Sequence, residues 1–223
     1  MLELTDIKFR YPKGEYFQFS YKFDLLTPVV IQGASGSGKS TLLNIIAGLI
    51  SPSSGYLRFE DKNLLKISPS ERPLSVLFQS GNLFDHISCL RNVEIGLNMR
   101  SRINSEEQFI IEEVFQNLGI SDHKNVLPTE ISGGQRKRIA LARAIVRAKC
   151  LGKKLMLLDE PFNGLDFETK SECINLLKDG CFKEGYKVII VSHDNNDPTL
   201  LGANKVKLDN ILRYLFPLIK EGK

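Results

Sequence analysis

Paired cysteines are absent from this sequence. Its cysteines form no C-x-x-C pair, and its three histidines are scattered along the chain rather than clustered. A structural zinc site requires close Cys/His pairs, so the sequence argues against metal binding through thiols. We expect the cysteines to be the reduced thiols of a cytosolic protein. They are Cys89, Cys150, Cys173 and Cys181.

Long apolar runs and long runs of like charge are also missing. No apolar run reaches the ~18 residues of a membrane span, and the opening MLELTDIKFRY lacks the apolar core of a signal peptide. We therefore expect that the chain does not insert itself into a membrane. The formal net charge is only +4 at pH 7, with acidic and basic residues interleaved. The sequence therefore predicts no nucleic-acid partner.

Repeats, low-complexity tracts and long linkers are lacking, and 223 residues that are 42% hydrophobic are enough for one globular domain. Three short apolar runs, at residues 29–31, 154–158 and 188–191, are each followed by polar or glycine-rich residues. This pattern is typical of buried parallel strands with functional loops at their carboxyl ends. Residues 2–11 and 16–25 alternate like antiparallel strands joined by a turn. The sequence therefore predicts an α/β fold with an antiparallel β region.

Between residues 84 and 148 helical periodicity replaces the strand pattern. Ser105 and Gln108 have the S-x-x-Q spacing of a capping box. The apolar residues that follow share one helical face: Ile111, Val114, Phe115 and Leu118. We expect a helical subdomain at residues 84–148, inserted into a core formed by residues 1–83 and 149–223.

A glycine-rich sequence, GASGSGKST at residues 33–41, follows an apolar strand and precedes the helical run LLNIIAGLI. A phosphate-binding P-loop requires this context, which argues strongly against an ordinary glycine-rich turn. The three glycines allow backbone N–H groups to curl around the β-phosphate of a nucleotide. Lys39 would place a cation between the β- and γ-phosphates, the Ser40 hydroxyl can ligate Mg²⁺, and Thr41 adds a second hydroxyl.

The sequence LMLLDEP places two carboxylates, Asp159 and Glu160, at the end of an apolar strand. Asp159 would hold Mg²⁺ directly or through water, and Glu160 could polarise the water that attacks the γ-phosphate. By itself, an acidic pair after a strand is more often a solvated strand end. Together with the P-loop, the pair predicts a site for nucleotide hydrolysis.

The sequence ISGGQRKRIALARAI, at residues 131–145, places small residues directly before a helix. Ser132, Gly133 and Gly134 would expose backbone N–H groups at the helix N-terminus, where the helix dipole favours a phosphate. For this tripeptide alone, an ordinary N-cap and loop is the better interpretation. We expect three arginines of the helix to form a solvated or ion-paired face rather than catalytic groups: Arg136, Arg143 and Arg147.

Taken together, these segments closely resemble the ordered motif set of ABC (ATP-binding cassette) ATPases. The matching motifs are GASGSGKST, Gln79 in VLFQ, ISGGQ, LMLLDEP, NGLD and VSHD, and their order and separations agree over nearly the whole chain. ISGGQ is similar to the family signature LSGGQ, with Ile131 in place of leucine. NGLD differs from the usual SALD of the D-loop at Asn163 and Gly164 but retains Asp166. The resemblance implies a P-loop NTPase core of the ABC-ATPase type that uses ATP and Mg²⁺.

The same resemblance implies individual roles. Tyr11 would stack on adenine, Gln79 would touch Mg²⁺ or the attacking water and report to membrane subunits, and His193 would contact the γ-phosphate. The implied catalytic residues are Lys39, Gln79, Glu160 and His193. The implied metal ligands are Ser40, Gln79 and Asp159. The implied nucleotide-binding residues are Tyr11, Gly33, Ala34, Ser35, Gly36, Ser37, Gly38, Lys39, Ser40, Thr41, Ser132, Gly133, Gly134, Gln135 and Asp166.

The resemblance also implies partners. Two copies would form a head-to-tail homodimer when ATP binds, with the signature motif of one copy closing over the P-loop of the other. The dimer would lie on the cytoplasmic face of the cell membrane, held there by membrane-spanning permease subunits. In an importer, a periplasmic or lipoprotein substrate-binding protein would deliver the solute.

Residues 72–98, RPLSVLFQSGNLFDHISCLRNVEIGLN, resemble the importer branch of the family most, and thiamine importer ATPases in particular. The ATPase of an exporter or lipoprotein-release system is the alternative, and a soluble ABC ATPase a more distant one. If residues 79–98 receive a membrane subunit, some of the apolar side chains Leu83, Phe84 and Leu90 should be partly exposed.

Overall fold

The structure, a computed structural model, describes residues 1–12, 14–97 and 102–212. Its strands in chain order are β1 (Leu2–Arg10), β2 (Tyr16–Phe23), β3 (Val29–Gln32), β4 (Ser54–Phe59), β5 (Lys62–Asn63), β6 (Leu74–Leu77), β7 (Leu155–Asp159), β8 (Lys187–Val191) and β9 (Asn204–Lys207). Its helices are α1 (Lys39–Ala47), α2 (Cys89–Glu94), α3 (Ser105–Asn117), α4 (Gly133–Cys150), α5 (Phe167–Leu177) and α6 (Asp197–Leu201).

The strands form two sheets, as the sequence predicts for an α/β fold with an antiparallel region. The antiparallel sheet has the order β2-β1-β4-β5, and the parallel sheet has the order β6-β7-β8-β3-β9. All residues of β3 and β7 are buried, which explains their continuous apolar sequences. Because the strands of the second sheet are parallel, the loops that follow β3, β6, β7 and β8 lie at the same sheet edge.

Helices α2, α3 and α4 lie between β6 and β7 in the described part of the chain. The apolar face predicted for α3 is confirmed, since Ile111, Val114, Phe115 and Leu118 are at most 2% exposed. They pack in one core with the apolar residues of α4 and one face of the parallel sheet. A second core lies between the other face of that sheet, α1 and the antiparallel sheet. No helix among the described ranges is long and apolar enough to cross a bilayer.

The predicted start of α3 is wrong by one residue. Asn104, rather than Ser105, is the N-cap: its Oδ1 accepts a hydrogen bond from the Glu107 backbone N–H at 2.9 Å. The Glu107 carboxylate in turn accepts one from the Asn104 N–H at 2.9 Å. Asn-x-x-Glu thus forms the capping box in place of Ser-x-x-Gln, because asparagine caps a helix as well as serine does.

Candidate functional site

A cavity of about 240 Å³ lies at the carboxyl edge of the parallel sheet. It gathers residues from segments that are distant in sequence: the P-loop, the ends of β6, β7 and β8, and the β1–β2 turn. The predicted site residues that line it are Tyr11, Ser35, Gly36, Gly38, Lys39, Ser40, Thr41, Gln79, Asp159, Glu160 and His193.

The P-loop connects β3 to α1 and holds its lysine in place. Gly38, directly before α1, has φ +98°, and a Cβ there would lie 2.5 Å from Cε1 of the Phe17 ring. Glycine is therefore needed at this position for its backbone conformation and for the close approach of an aromatic ring. Lys39 is buried and donates hydrogen bonds to the carbonyls of Gly33 (2.8 Å) and Ala34 (2.6 Å). Burial lowers the pKa of Lys39, while Glu160 and Asp159 act in the opposite direction.

Ser40 and Asp159 are brought together from separate elements. Ser40 Oγ donates a hydrogen bond to Asp159 Oδ2 at 3.0 Å. Asp159 ends β7 and is buried; burial raises the pKa of its carboxyl, and the Ser40 hydrogen bond opposes that effect. Hydroxyl and carboxylate oxygens are hard donors of the kind that Mg²⁺ prefers, so the chemistry of this pair fits the predicted metal.

Glu160 is held in an unusual backbone conformation. Its φ is +53°, which is rare for a residue with a side chain, and its N–H donates to the Val191 carbonyl at 3.0 Å. Its side chain is buried, with Oε1 2.9 Å from His193 Nε2, although the two atoms are not aligned as a hydrogen bond. Burial raises the pKa of Glu160, His193 opposes the shift and Asp159 adds to it. Strained, desolvated carboxylates of this kind are frequent at functional sites.

Tyr11 lies at the β1–β2 turn and is 38% exposed. Its hydroxyl is 3.2 Å from Oγ1 of Thr41, which ties the turn to the first residues of α1. The ring of Phe9 packs against it edge-on, with centroids 4.7 Å apart, and the Phe17 ring packs in the same manner at 6.3 Å. These contacts set the orientation of a partly exposed aromatic surface beside the P-loop.

Gln79 follows β6 and is exposed at the cavity. The loop that carries it is closed by Asn82, whose Oδ1 accepts from the Phe78 N–H at 2.9 Å and whose Nδ2 donates to the Phe78 carbonyl. The glutamine is thus presented from a short, internally bonded loop.

The signature residues do not line this cavity. Ser132 is the exposed N-cap of α4 and forms a capping box with Gln135, in which Ser132 Oγ accepts from the Gln135 N–H at 3.2 Å. Asp166 is the exposed N-cap of α5 and accepts from the Thr169 N–H at 2.9 Å. One copy of the chain therefore does not bring Ser132 or Asp166 to the P-loop.

Two side chains at the cavity were not predicted from the sequence. The ring of Phe17 packs against Gly38, and both Phe17 and Glu15 line the cavity. Phe17 pairs with Phe9 across the β1–β2 hairpin and looks like an ordinary strand residue. No local spacing signals its contact with the P-loop, because the two belong to different sheets.

The arginines of α4 differ from expectation. Arg136 is ion-paired with Asp85 at 2.7 Å, as predicted. Arg143 and Arg147 are instead half-buried, and burial lowers the pKa of both guanidinium groups. Arg147 donates to the Gly96 carbonyl at 2.6 Å. The prediction of a solvated or ion-paired face is therefore wrong for these two residues, because the α2 segment packs over them.

A second cavity, of about 390 Å³, is a groove between β6, α4 and the segment after Gln79. Mostly apolar side chains line it, together with Arg143 and Arg147. Phe84 at its edge is 49% exposed, whereas Leu83 and Leu90 are half-buried against the helical core. The predicted partial exposure is confirmed, most clearly at Phe84. Asn98, which ends the predicted surface, lies outside the described residues.

The sequence profile described as "ABC transporter" matches residues 17–163. The thiamine import ATP-binding protein ThiQ of Escherichia coli strain UTI89 is 39% identical over 206 residues, which cover 92% of this chain and 87% of ThiQ. The corresponding protein of strain K12 is 38% identical over the same shares of the two chains.

Solved structures are similar as well. A bacterial ABC transporter cassette solved as a dimer is 28% identical, with a TM-score of 0.80 and coverage of 93% of this chain and 94% of that one. A dimeric cassette in a post-hydrolysis state with ADP and phosphate bound is 29% identical, with a TM-score of 0.78 and coverage of 90% and 91%. A Clostridium perfringens component of the ABC transporter complex CbiONQ is 27% identical, with a TM-score of 0.70 and coverage of 86% and 78%.

Proposed function

The chain belongs to the ABC transporter family and is an ABC-type ATPase. We propose that it powers an importer of thiamine or a related small solute. The similarity to ThiQ, which extends over 92% of the chain, supports both import as the direction of transport and thiamine as the solute. In this proposal the solute passes through membrane-spanning partner subunits, and this chain supplies the work of ATP hydrolysis.

The cavity at the carboxyl edge of the parallel sheet is the proposed ATP site. The P-loop N–H groups would surround the phosphates, and Lys39 would exchange its two carbonyl contacts for the β- and γ-phosphate oxygens. Tyr11 would stack on adenine with the exposed part of its ring. Ser40, Asp159 and Gln79 would hold Mg²⁺, which when bound neutralises phosphate charge.

Glu160 is the proposed general base. Its buried carboxylate would accept a proton from the water that attacks the γ-phosphate, and the raised pKa brings its basicity closer to the working pH. His193, in contact with Glu160, would bind the γ-phosphate and keep the carboxylate oriented. Exclusion of bulk water by a closing partner would strengthen these interactions.

We propose a homodimer as the active form. Ser132 and Gly133 are exposed, and with the half-buried Gly134 and Gln135 they form a helix N-terminus that is suited to a phosphate but lies outside the cavity of its own chain. A second copy, turned head-to-tail, would bring this N-terminus over the ATP held by the first copy and Asp166 to the dimer interface. Two similar cassettes were solved as dimers, which supports this arrangement.

The groove edged by Phe84 is the proposed contact with a permease subunit. It lies where the proposed core, residues 1–83 and 149–223, meets the proposed helical subdomain, residues 84–148. Its apolar walls would bury a short apolar segment of the partner, and the half-buried Arg143 and Arg147 could meet carbonyl or carboxylate oxygens of that segment. Such an assembly would place the chain on the cytoplasmic face of the membrane, with a substrate-binding protein on the opposite side.

The substrate can be tested in cells that carry this gene. Lys39→Ala removes the cation of the P-loop, so uptake of radiolabelled thiamine should fall to the level of a gene deletion while uptake of sulfate and spermidine is unchanged. Unaltered thiamine uptake would show that another solute is carried. Release of labelled thiamine from preloaded cells provides the test of direction: an exporter would lose release, whereas an importer would not.

A further inference from the structure

Lys170, on the first turns of α5, joins that helix to the loop after β8. Its Nζ lies 2.5 Å from Asp194 Oδ2 and also contacts Asp197 Oδ1. The side chains of Lys170 and Asp197 are 12% and 2% exposed, so this ionic contact is largely shielded from water. The hydrogen bond from Lys170 also lowers the pKa of Asp194. A shielded pair of this kind holds its geometry more firmly than an exposed one.

The contacts of Lys170 anchor both neighbours of His193. The Ser192 hydroxyl donates to the Asp197 carboxylate and accepts from the Asp194 N–H at 3.1 Å. Gln32 at the end of β3 donates from Nε2 to the Asp194 carbonyl at 2.7 Å. The backbone on each side of His193 is therefore held by a network that has Lys170 as its cation.

The imidazole of His193 is not fixed by packing. Its side chain is 48% exposed, and a cavity of about 690 Å³ lies beside it, lined also by Lys170, Glu160 and the D-loop. Contact with Glu160 Oε1 at 2.9 Å depends on where the backbone places the ring. Its position is consequently sensitive to the anchors on either side.

We propose that Lys170 is a positioning residue for ATP hydrolysis, one that holds His193 against Glu160 and links this geometry to the D-loop. The link is short, because the Lys170 N–H donates to the carbonyl of Asp166 at 2.9 Å within the first turn of α5. A movement of Asp166 at a dimer interface would reach the backbone beside His193 through the Lys170–Asp194 pair. The inference rests on the proposed roles of Glu160, His193 and Asp166.

The first test replaces the charged side chain of Lys170. Lys170→Met should lower kcat at least about tenfold and leave KM for ATP within about twofold, because a small misplacement of a reacting group slows chemistry more than binding. Lys170→Arg keeps the charge and should recover most of kcat. Lys183→Met is the matched control: it removes a neighbouring lysine–aspartate pair whose side chains are 75% and 67% exposed, and it should leave both constants unchanged. A Lys170→Met enzyme with wild-type kcat would overturn the proposal.

The second test asks whether Lys170 acts through His193. Added to His193→Ala, Lys170→Met should cause no further loss of kcat. If Lys170→Met lowers kcat as much in the His193→Ala enzyme as it does in the wild-type enzyme, the proposal is overturned. If His193→Ala hydrolyses ATP at the wild-type rate, the proposed role of His193 fails, and this inference fails with it. If His193→Ala is slow but Lys170→Met hydrolyses ATP at the wild-type rate, the inference about Lys170 fails and the proposed role of His193 stands.

The third test separates positioning from stability. Lys170→Met leaves the buried Asp197 carboxylate without its cationic partner and can impair folding. Adding Asp197→Asn removes that unpaired charge, so the double variant should melt at the wild-type temperature and still show reduced kcat. A stable double variant with wild-type kcat would mean that Lys170 has only a structural role.

Discussion

Ser40 Oγ donates a hydrogen bond to Asp159 Oδ2 at 3.0 Å, although the two residues are 119 positions apart. This bond joins the first turn of α1 to the end of β7 and places two oxygen donors side by side. The hydrogen bond from Ser40 does not offset the effect of burial on Asp159, because the pKa of the carboxyl is still raised. Without nucleotide, the buried charge of Asp159 therefore lowers the stability of the fold.

Asp159→Asn should consequently stabilise the nucleotide-free protein at pH 8, by about 1 kcal/mol or roughly 2–4 °C in Tm. When folding raises the pKa of a carboxyl, the folded protein loses stability as pH rises from the ordinary pKa of about 3.9 through the raised value. The gain from the substitution should therefore shrink as pH falls from 8 towards 4. Thermal melts over this range measure it, with the exposed Asp179→Asn as a control. A gain that is independent of pH would contradict the explanation by burial.

Glu160→Gln should slow hydrolysis by a factor of ~10² or more while ATP binding is retained, because the base is lost and the P-loop is intact. ATP that is bound but not cleaved should then hold two copies together. Size-exclusion chromatography with Mg-ATP should show a dimer that wild-type enzyme does not accumulate. A variant that stays monomeric, or that hydrolyses ATP at the wild-type rate, is incompatible with the proposed base.

Ser132 should act on ATP held by the other copy, because it lies outside the cavity of its own chain. Ser132→Arg and Lys39→Ala homodimers should each be inactive. Mixing them should restore part of the ATPase activity, since one of the two composite sites in the mixed dimer carries neither substitution. Lack of recovery would count against action in trans once mixed dimers are shown to form, for example by isolation through two different affinity tags.

Phe84→Glu should abolish copurification with the permease and leave folding and basal ATPase activity nearly unchanged. The side chain is 49% exposed, so a carboxylate there is solvated in the free chain but would be buried in the complex. Phe109→Glu is the matched control, because Phe109 is 69% exposed on α3 and does not line the groove. A stable Phe84→Glu protein that still assembles and transports would show that the groove is not the coupling surface.

The local patterns of the sequence were sufficient for β1, β2, β3, β7 and β8, for the P-loop and for the acidic pair, but not for β4, β5, β6 and β9. The apolar runs before residues 33 and 159 have the composition of buried parallel strands, and glycine and carboxylate chemistry follows each of them directly. The apolar face of α3 also follows from helical spacing. Its exact start did not, since Asn104 and Ser105 are both good N-caps and only the hydrogen bonds to Glu107 decide between them.

The sequence by itself determined which chemical groups the ATPase has, because each motif is a short segment whose local conformation follows from its own residues. Only the tertiary structure decided which of these groups meet: the cavity joins Lys39, Asp159 and His193 and leaves Ser132 outside. It likewise decided that Phe17 supports Gly38 and that Lys170 binds Asp194 and Asp197. These contacts connect residues on different strands and helices, and their distances depend on the packing of whole elements, which no local spacing in the chain encodes.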